Sequence, residues 1–303
     1  MNNIPEFPEV TKLNLTHLPA LTEALTAQKM YAAESSFYYL ETWYYERPAN
    51  ISRIGERLIL DMHGQRPGGH IFLGPFGAGE LTEATVDFYL DTIEKEFSEE
   101  RTLHFVPKAL AEDLIAAKKP IEVVENVDYN DYLYSREDLA NLSGRKYTKR
   151  RNLVNKFLRT NKVKVYDIAD VNYEKFIACI DGWFDKYDDG SDPFLQQERT
   201  SIKKALPLLR DLGGVGIVVK TDDELCGFSW AVPITDDVWL IPVEKASREI
   251  SGMYQYVNYC LANKLPEHVK TLNREADMGI PGLRIAKTRY NPIGFERKFT
   301  LKY

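Results

Sequence analysis

The sequence predicts an α/β (α+β) protein in two similar halves, each a mixed, mostly antiparallel sheet flanked by helices. Three observations predict it. Amphipathic helical stretches alternate with short runs of β-branched and aromatic residues along the chain. The order of elements in the first half returns in the second: helices, two strands, a helix, a strand, a short helix and a last strand. The length of 303 residues suits two domains of ordinary size. The boundary is expected near 126–130, giving domains 1–126 and 127–303.

Taken in order, residues 18–34 have helical spacing through Leu21, Leu25 and Met30, with Thr16 as a cap. The aromatic segment 36–46 reads as helix or strand. Residues 50–62 read as one strand, alternating in its second half, and 70–76 as a short strand between glycines. Residues 81–97 form an amphipathic helix through Val86, Tyr89, Leu90, Ile93 and Phe97. A strand over 102–106, a helix over 108–117 and a strand over 121–125 close the first half. In the second half, 136–161 is helical, 163–168 a strand and 172–187 a helix. The loop 188–193, DDGSDP, resembles a calcium loop, but Tyr187 and Gln196 stand where ligands belong. Residues 199–212 are helical despite Pro207. A hairpin follows over 214–220 and 225–234, then a strand over 237–243, a helix over 251–263 and a strand over 271–275. A short helix over 281–290 and a strand over 295–303 end the chain. The helices 81–97 and 251–263 hold equivalent places in the repeat, as do the strands 121–125 and 295–303.

A hydrophobic content of 44% and a charged content of 28% are those of a soluble globular protein. No apolar run approaches the ~18 residues of a membrane span. The N-terminus has no secretory pattern, and a cytoplasmic location is expected. Cys179, Cys226 and Cys260 are far apart, odd in number and without a CxxC, which argues against a disulfide framework or zinc site. His17, His63, His70, His104 and His268 have no ligand spacing, so no metal is expected. GxSxG, P-loop and GxGxxG motifs are missing. For an enzyme, this favours direct transfer in a ternary complex over covalent catalysis.

Two stretches carry candidate chemistry. Residues 144–164 hold nine lysines and arginines and no acid, in a chain of net charge −6. On a helical wheel, Tyr147, Leu153, Val154, Phe157 and Leu158 form an apolar face with Arg150 in its middle. A guanidinium there is expected to meet a carboxylate or reach into a cleft. Lys149, Arg151, Lys156 and Arg159 point outward, either as solvated surface or as contacts for the phosphates of a nucleic acid. Residues 273–292 are the second stretch. Here a proline-started helix places Arg284 and Lys287 at i and i+3, suited to a phosphate or a developing oxyanion. Glu275 and Asp277 precede it and could accept a proton, hold an ammonium or pair with Arg284. Gly252 opens the helix 251–263, a weak match to a pyrophosphate-binding turn. Gln255 and Asn258, at i and i+3, line a cleft or a solvated flank.

The motifs Asp131-Tyr132-Leu133-Tyr134-Ser135, Gly144-Arg145-Lys146-Tyr147 and Lys149-Arg150-Arg151-Asn152 resemble the phosphatidylglycerol lysyltransferase C-terminal-domain family, in its soluble stand-alone branch. So do Glu244-Lys245-Ala246, Tyr254-Gln255 with Asn258, Asn273-Arg274-Glu275, Asp277 through Arg284, Lys287 and Tyr290-Asn291-Pro292. The resemblance implies two tandem GNAT-like domains, with the site in the second. It implies kinship with enzymes that move an amino acid from aminoacyl-tRNA to a lipid hydroxyl or a peptidoglycan amine. It places Lys287 in the transfer site, while Arg150 and Arg284 match the stand-alone branch. The expected activity is aminoacyl transfer to an amine or hydroxyl acceptor, small molecule or peptide, with tRNA as partner. An acyl-CoA N-acyltransferase and a non-catalytic RNA- or anion-binding module are the alternatives.

Overall fold

The computed structural model describes residues 3–43, 48–63, 69–188, 190–191, 193–221 and 224–303. The chain packs as two compact units. The first comprises Met1–Asp131, Glu275–Pro281 and Phe295–Tyr303, and the second Tyr132–Arg274 and Gly282–Gly294. The division is not contiguous in sequence, as a cut between 126 and 127 would be. Strand pairing across long separations decides it.

The first unit begins with β1 (Thr11–Lys12), α1 (Leu18–Gln28) and α2 (Phe37–Thr42). The helix α1 ends earlier than its apolar spacing suggests, because Lys29 turns left-handed at φ 56°. Of the aromatic segment 36–46, the part described is helical, and 44–46 lie outside the described residues. Next come β2 (Asn50–Ile54), β3 (Arg57–His63) and β4 (His70–Phe76). The single strand expected over 50–62 is therefore a hairpin. Gly55, at φ 61°, makes the reversal, and Ile54 pairs with Arg57. These four strands form one antiparallel sheet in the order β1-β2-β3-β4. The helix α3 (Glu83–Phe97) starts where the Thr82 side chain accepts the Thr85 amide. It buries Val86, Tyr89, Leu90 and Ile93, each of which stabilises by about 1.5–3 kcal/mol. Then follow β5 (Thr102–Pro107), α4 (Lys108–Ala117) and β6 (Glu122–Glu125).

The second sheet of this unit is completed from the far end of the chain. The C-terminal strand Lys298–Lys302 lies antiparallel between β5 and β6, with Phe299 opposite both Val106 and Glu125. The segments 121–125 and 295–303, expected as equivalents in two halves, are neighbours in one sheet. Periodicity identifies a strand but not its partner, and both segments read alike.

The second unit takes up the chain in β7 (Asp131–Ser135), a strand absent from the sequence reading. The helix expected over 136–161 is interrupted. Leu142 at φ 48° and Gly144 at φ 77° break it into α5 (Arg136–Asn141) and α6 (Thr148–Thr160). Then come β8 (Val163–Asp167), α7 (Tyr173–Tyr187), α8 (Pro193–Asp211), β9 (Val215–Thr221), β10 (Glu224–Pro233), β11 (Val238–Ala246), α9 (Met253–Lys264), β12 (Thr271–Asn273), α10 (Pro281–Thr288), β13 (Gly294–Glu296) and the strand already described, β14. Pro207 lies within α8. In the loop 188–193, residues 189 and 192 lie outside the described residues. The strands form one sheet in the order β13-β7-β12-β11-β10-β9-β8. The pairing of β11 with β12 is parallel, and its neighbours β10–β11, β9–β10, β8–β9 and β7–β12 pair antiparallel. Tyr134, Tyr147, Phe157, Val257, Leu261 and Leu272 form the centre of its core.

The chain thus passes between the units more than once. The chain leaves the first unit through β7, which pairs in the second, and returns through β14, which pairs in the first. Among the described residues, no helix is long and apolar enough to cross a membrane.

Candidate functional site

The site is built in the second unit from side chains of α6, α9, α10, β7 and β11, with Arg274 just after β12 and Tyr290 just after α10. The inward face of α6 carries Arg150, Val154 and Phe157, as the helical wheel predicts, but Leu158, expected on the same face, is 45% exposed and Leu153 only half-buried. Arg150 is only 7% exposed. Its Nη2 donates to the Arg289 carbonyl at 3.2 Å, and its guanidinium carbon lies 5.3 Å from the centre of the Tyr290 ring. Its Nε is buried and has no partner. Arg150 is thus buried, on the inner face of its helix, without the carboxylate partner that its burial led one to expect. No described carboxylate forms an ion pair with it. A buried, uncompensated guanidinium costs several kcal/mol.

Beside it stands an ion pair. Glu244, near the end of β11, accepts from Arg274 Nη2 at 2.9 Å through Oε1 and from Asn258 Nδ2 at 2.9 Å through Oε2. Both side chains of the ion pair are 12% exposed. The Arg274 guanidinium carbon lies 4.8 Å from the Tyr290 ring centre and 5.3 Å from that of Tyr134. Its Nη1 is buried without a partner, as is Oδ1 of Asn258, a residue 1% exposed. Burial works against the charge on Arg274, but Glu244 and the two tyrosines outweigh it and hold this guanidinium above the ordinary arginine value. Burial pushes the Tyr290 and Tyr134 hydroxyls up, so both stay protonated. Gln255 lies near the Tyr290 hydroxyl, which is buried and makes no hydrogen bond. Lys287, half-buried, donates to the Arg274 carbonyl and lies 6.0 Å from the Tyr132 ring centre. The Tyr134 hydroxyl donates to the Lys287 carbonyl at 2.8 Å, which fixes the end of α10.

The structure therefore brings together Arg150, Asn258, Gln255 and Lys287 of the sequence-predicted residues. It does not gather the others there. Arg284 is exposed on α10. Glu275, at φ 56°, and Asp277, 2% exposed, pack with the first unit. Asp277 Oδ1 accepts the Gly279 amide at 2.9 Å and closes a turn. Gly252 serves helix packing: a Cβ there would lie 2.5 Å from the Leu153 carbonyl oxygen, and its φ is 89°. Lys149, Lys156 and Arg159 are exposed on α6 along two open grooves that also expose Asn152 and Asn155. Arg151 is spent on its own loop, donating to the carbonyls of Leu142 and Gly144.

Glu244, Arg274, Tyr134 and Tyr290 were not singled out as site residues by spacing. Their signal is the charged pair Glu244-Lys245 at the end of the apolar run Val238–Val243. Successive strand side chains face opposite ways. Glu244 meets Asn258 and Arg274, whereas Lys245 meets Glu198 at 2.7 Å and the Trp183 ring at 4.7 Å. Among the described residues, no group of three acids, histidines or cysteines is placed to hold a metal.

Comparison with known proteins adds the family. A chain of Bacteroides thetaiotaomicron VPI-5482, a conserved protein of unknown function, is 26% identical, with 97% of this chain and 99% of that one covered and a TM-score of 0.87. L-PGS from Bacillus licheniformis shares the fold at 13% identity and a TM-score of 0.61, with 96% of this chain and 88% of that one covered. An uncharacterised protein of Mycoplasmoides gallisepticum is 25% identical over 197 residues, 62% of this chain, and the match spans 60% of that relative's length. The sequence profile described as "Phosphatidylglycerol lysyltransferase, C-terminal" matches residues 27–302. With that match running through both units, the chain belongs to the phosphatidylglycerol lysyltransferase C-terminal-domain family.

Proposed function

We propose that this chain is an aminoacyltransferase that moves an aminoacyl group from aminoacyl-tRNA directly to an amine or hydroxyl acceptor in its second unit. The observation that carries this reading is the family match over residues 27–302; Lys287 is the residue that we assign to the transfer site. In the transfer, the acceptor nitrogen or oxygen attacks the ester carbonyl carbon. The bond from that carbon to the ribose oxygen breaks, and the acceptor's proton passes to the leaving oxygen. The charge develops on the carbonyl oxygen, and a preorganised cation is the group that stabilises it. Lys287 is half-buried and oriented by the Arg274 carbonyl, which suits that role. Glu244 has both oxygens engaged, so its part is to hold Arg274 and Asn258 rather than to take a proton. Glu275 and Asp277 have no role in this reading.

For the donor, Lys149, Lys156 and Arg159 are free of intramolecular ion pairs among the described residues and sit along the open grooves of α6, so tRNA phosphates have cations to meet. An acyl-CoA donor is less well served, because the sequence around Gly252 is a weak match to a pyrophosphate-binding turn. Filter binding with charged tRNA at two ionic strengths tests the reading. Three phosphate contacts give a slope of log K against log salt of about −2 to −3. Salt-insensitive binding, or none, rules out tRNA as the donor.

A further inference from the structure

We infer that Arg150, Arg274 and Asn258 form a binding site for a small molecule carrying a free carboxylate beside an amine, the arrangement of a free α-amino acid. The clue is a missing counter-charge. The cluster holds two buried guanidiniums against one carboxylate, Glu244, and that carboxylate is already paired with Arg274. Arg150 has only a backbone carbonyl and a ring as neighbours. One N–H of each guanidinium, on Arg150 Nε and Arg274 Nη1, is buried and unpartnered. Both guanidiniums lie against the same Tyr290 ring. An oxyanion that accepts from both supplies the missing charge and satisfies both donors in one step.

The third unpartnered atom sets the other half of the ligand. Asn258 Nδ2 donates to Glu244, so the amide cannot be turned over without setting two oxygens against each other. Its Oδ1 therefore faces the site as an acceptor and calls for an N–H donor. Glu244, on the same side, favours that donor carrying positive charge. A carboxylate with a neighbouring ammonium meets these three atoms, and the Tyr290 hydroxyl, also buried and unpartnered, is a further donor for its oxygens. An aminoacyl ester does not fit, because its carboxyl group is esterified and the whole is a cation among guanidiniums. The occupant is therefore not the donor. Resting on the transferase reading for this one point, it is the acceptor, whose amine Asn258 holds.

Isothermal titration calorimetry of the full chain tests the site without any tRNA. The probes are the proteinogenic amino acids one at a time, the carboxamide of each that binds, and inorganic phosphate. The expected result is that at least one amino acid binds, that its carboxamide binds tenfold or more weakly, and that phosphate does not compete. Arg150→Gln should weaken binding about tenfold to a hundredfold, the loss of a charged hydrogen bond. Arg150→Lys, which keeps the charge, should recover part of it, and Lys175→Ala, at an exposed position on α7, should change nothing. No binding by any amino acid, equal binding of acid and carboxamide, or phosphate binding as tightly as the amino acid overturns the proposal. Amino-acid binding with no transfer from charged tRNA counts against the transferase reading alone. Transfer with no amino-acid binding counts against this site alone.

Discussion

Each unit buries a cluster of opposite charges, and the two clusters are finished differently. In the first unit, Lys298 is fully buried on β14 and its ammonium meets Asp131 at 2.7 Å and Glu34 at 2.5 Å. The other oxygen of Asp131 accepts the Ala33 amide, and Asn130 accepts the Lys298 amide. Next along the strand, Arg297 pairs with Glu125. Nothing in that cluster is left unpartnered. In the second unit, Arg150 is buried nearly as deeply but has no carboxylate, and four polar atoms of its cluster stand unpartnered. The first cluster fastens the C-terminal strand. The second leaves open the donors and acceptor on which the proposed ligand site rests. Burial of charge does not by itself mark a site, and neither does a single orphan donor, since Arg57 Nε in the first unit is also buried and unpartnered; the gathering of four such atoms sets the second cluster apart.

The comparison can be broken by substitution. The largest effect is expected at Lys298→Met, which leaves Asp131 and Glu34 as buried carboxylates without their cation. It should cost about 3–5 kcal/mol in urea unfolding. Arg274→Met breaks the Glu244 pair at a slightly more open position and should cost about 2–3 kcal/mol by the same measurement.

The pH dependence sharpens the contrast. Burial, with the Asp131 charge second, pushes the Glu296 carboxyl up to about 8, against the pull of Lys298. The folded state thus keeps a proton that the unfolded chain releases near 4.5. Stability contributed by this group is present below 4.5, falls as the pH rises toward 8, and levels off above it. Glu296→Gln should flatten that slope in urea midpoints measured from pH 5 to 8. The smallest effects are expected at Lys149→Ala and Lys156→Ala, within about 0.5 kcal/mol of the parent. Any loss they cause should be in salt-dependent binding to tRNA.

Much of this was legible in the sequence. The spacing of Val86, Tyr89, Leu90 and Ile93 gives α3, and the wheel of 147–158 places Arg150 inward, because burial of an apolar face is a local, periodic signal. The return of the C-terminal strand to the first unit was not legible. β14 and β6 read as counterparts because register and partner are set by residues far apart, not by either segment. The break after α5 was missed because Leu142, at φ 48°, is not a residue type that announces a left-handed turn. At the site, the inward position of Arg150 came from periodicity. The Glu244–Arg274 pair links residues 30 apart, and no local pattern joins them.

Urea unfolding of Arg150→Met beside Lys298→Met tests the central claim most directly. Arg150 without a counter-charge contributes little to the fold, so Arg150→Met is expected to leave the midpoint unchanged or raise it while Lys298→Met lowers it steeply. An equally steep loss for Arg150→Met would mean that its guanidinium is already completed by the fold, and would contradict the account.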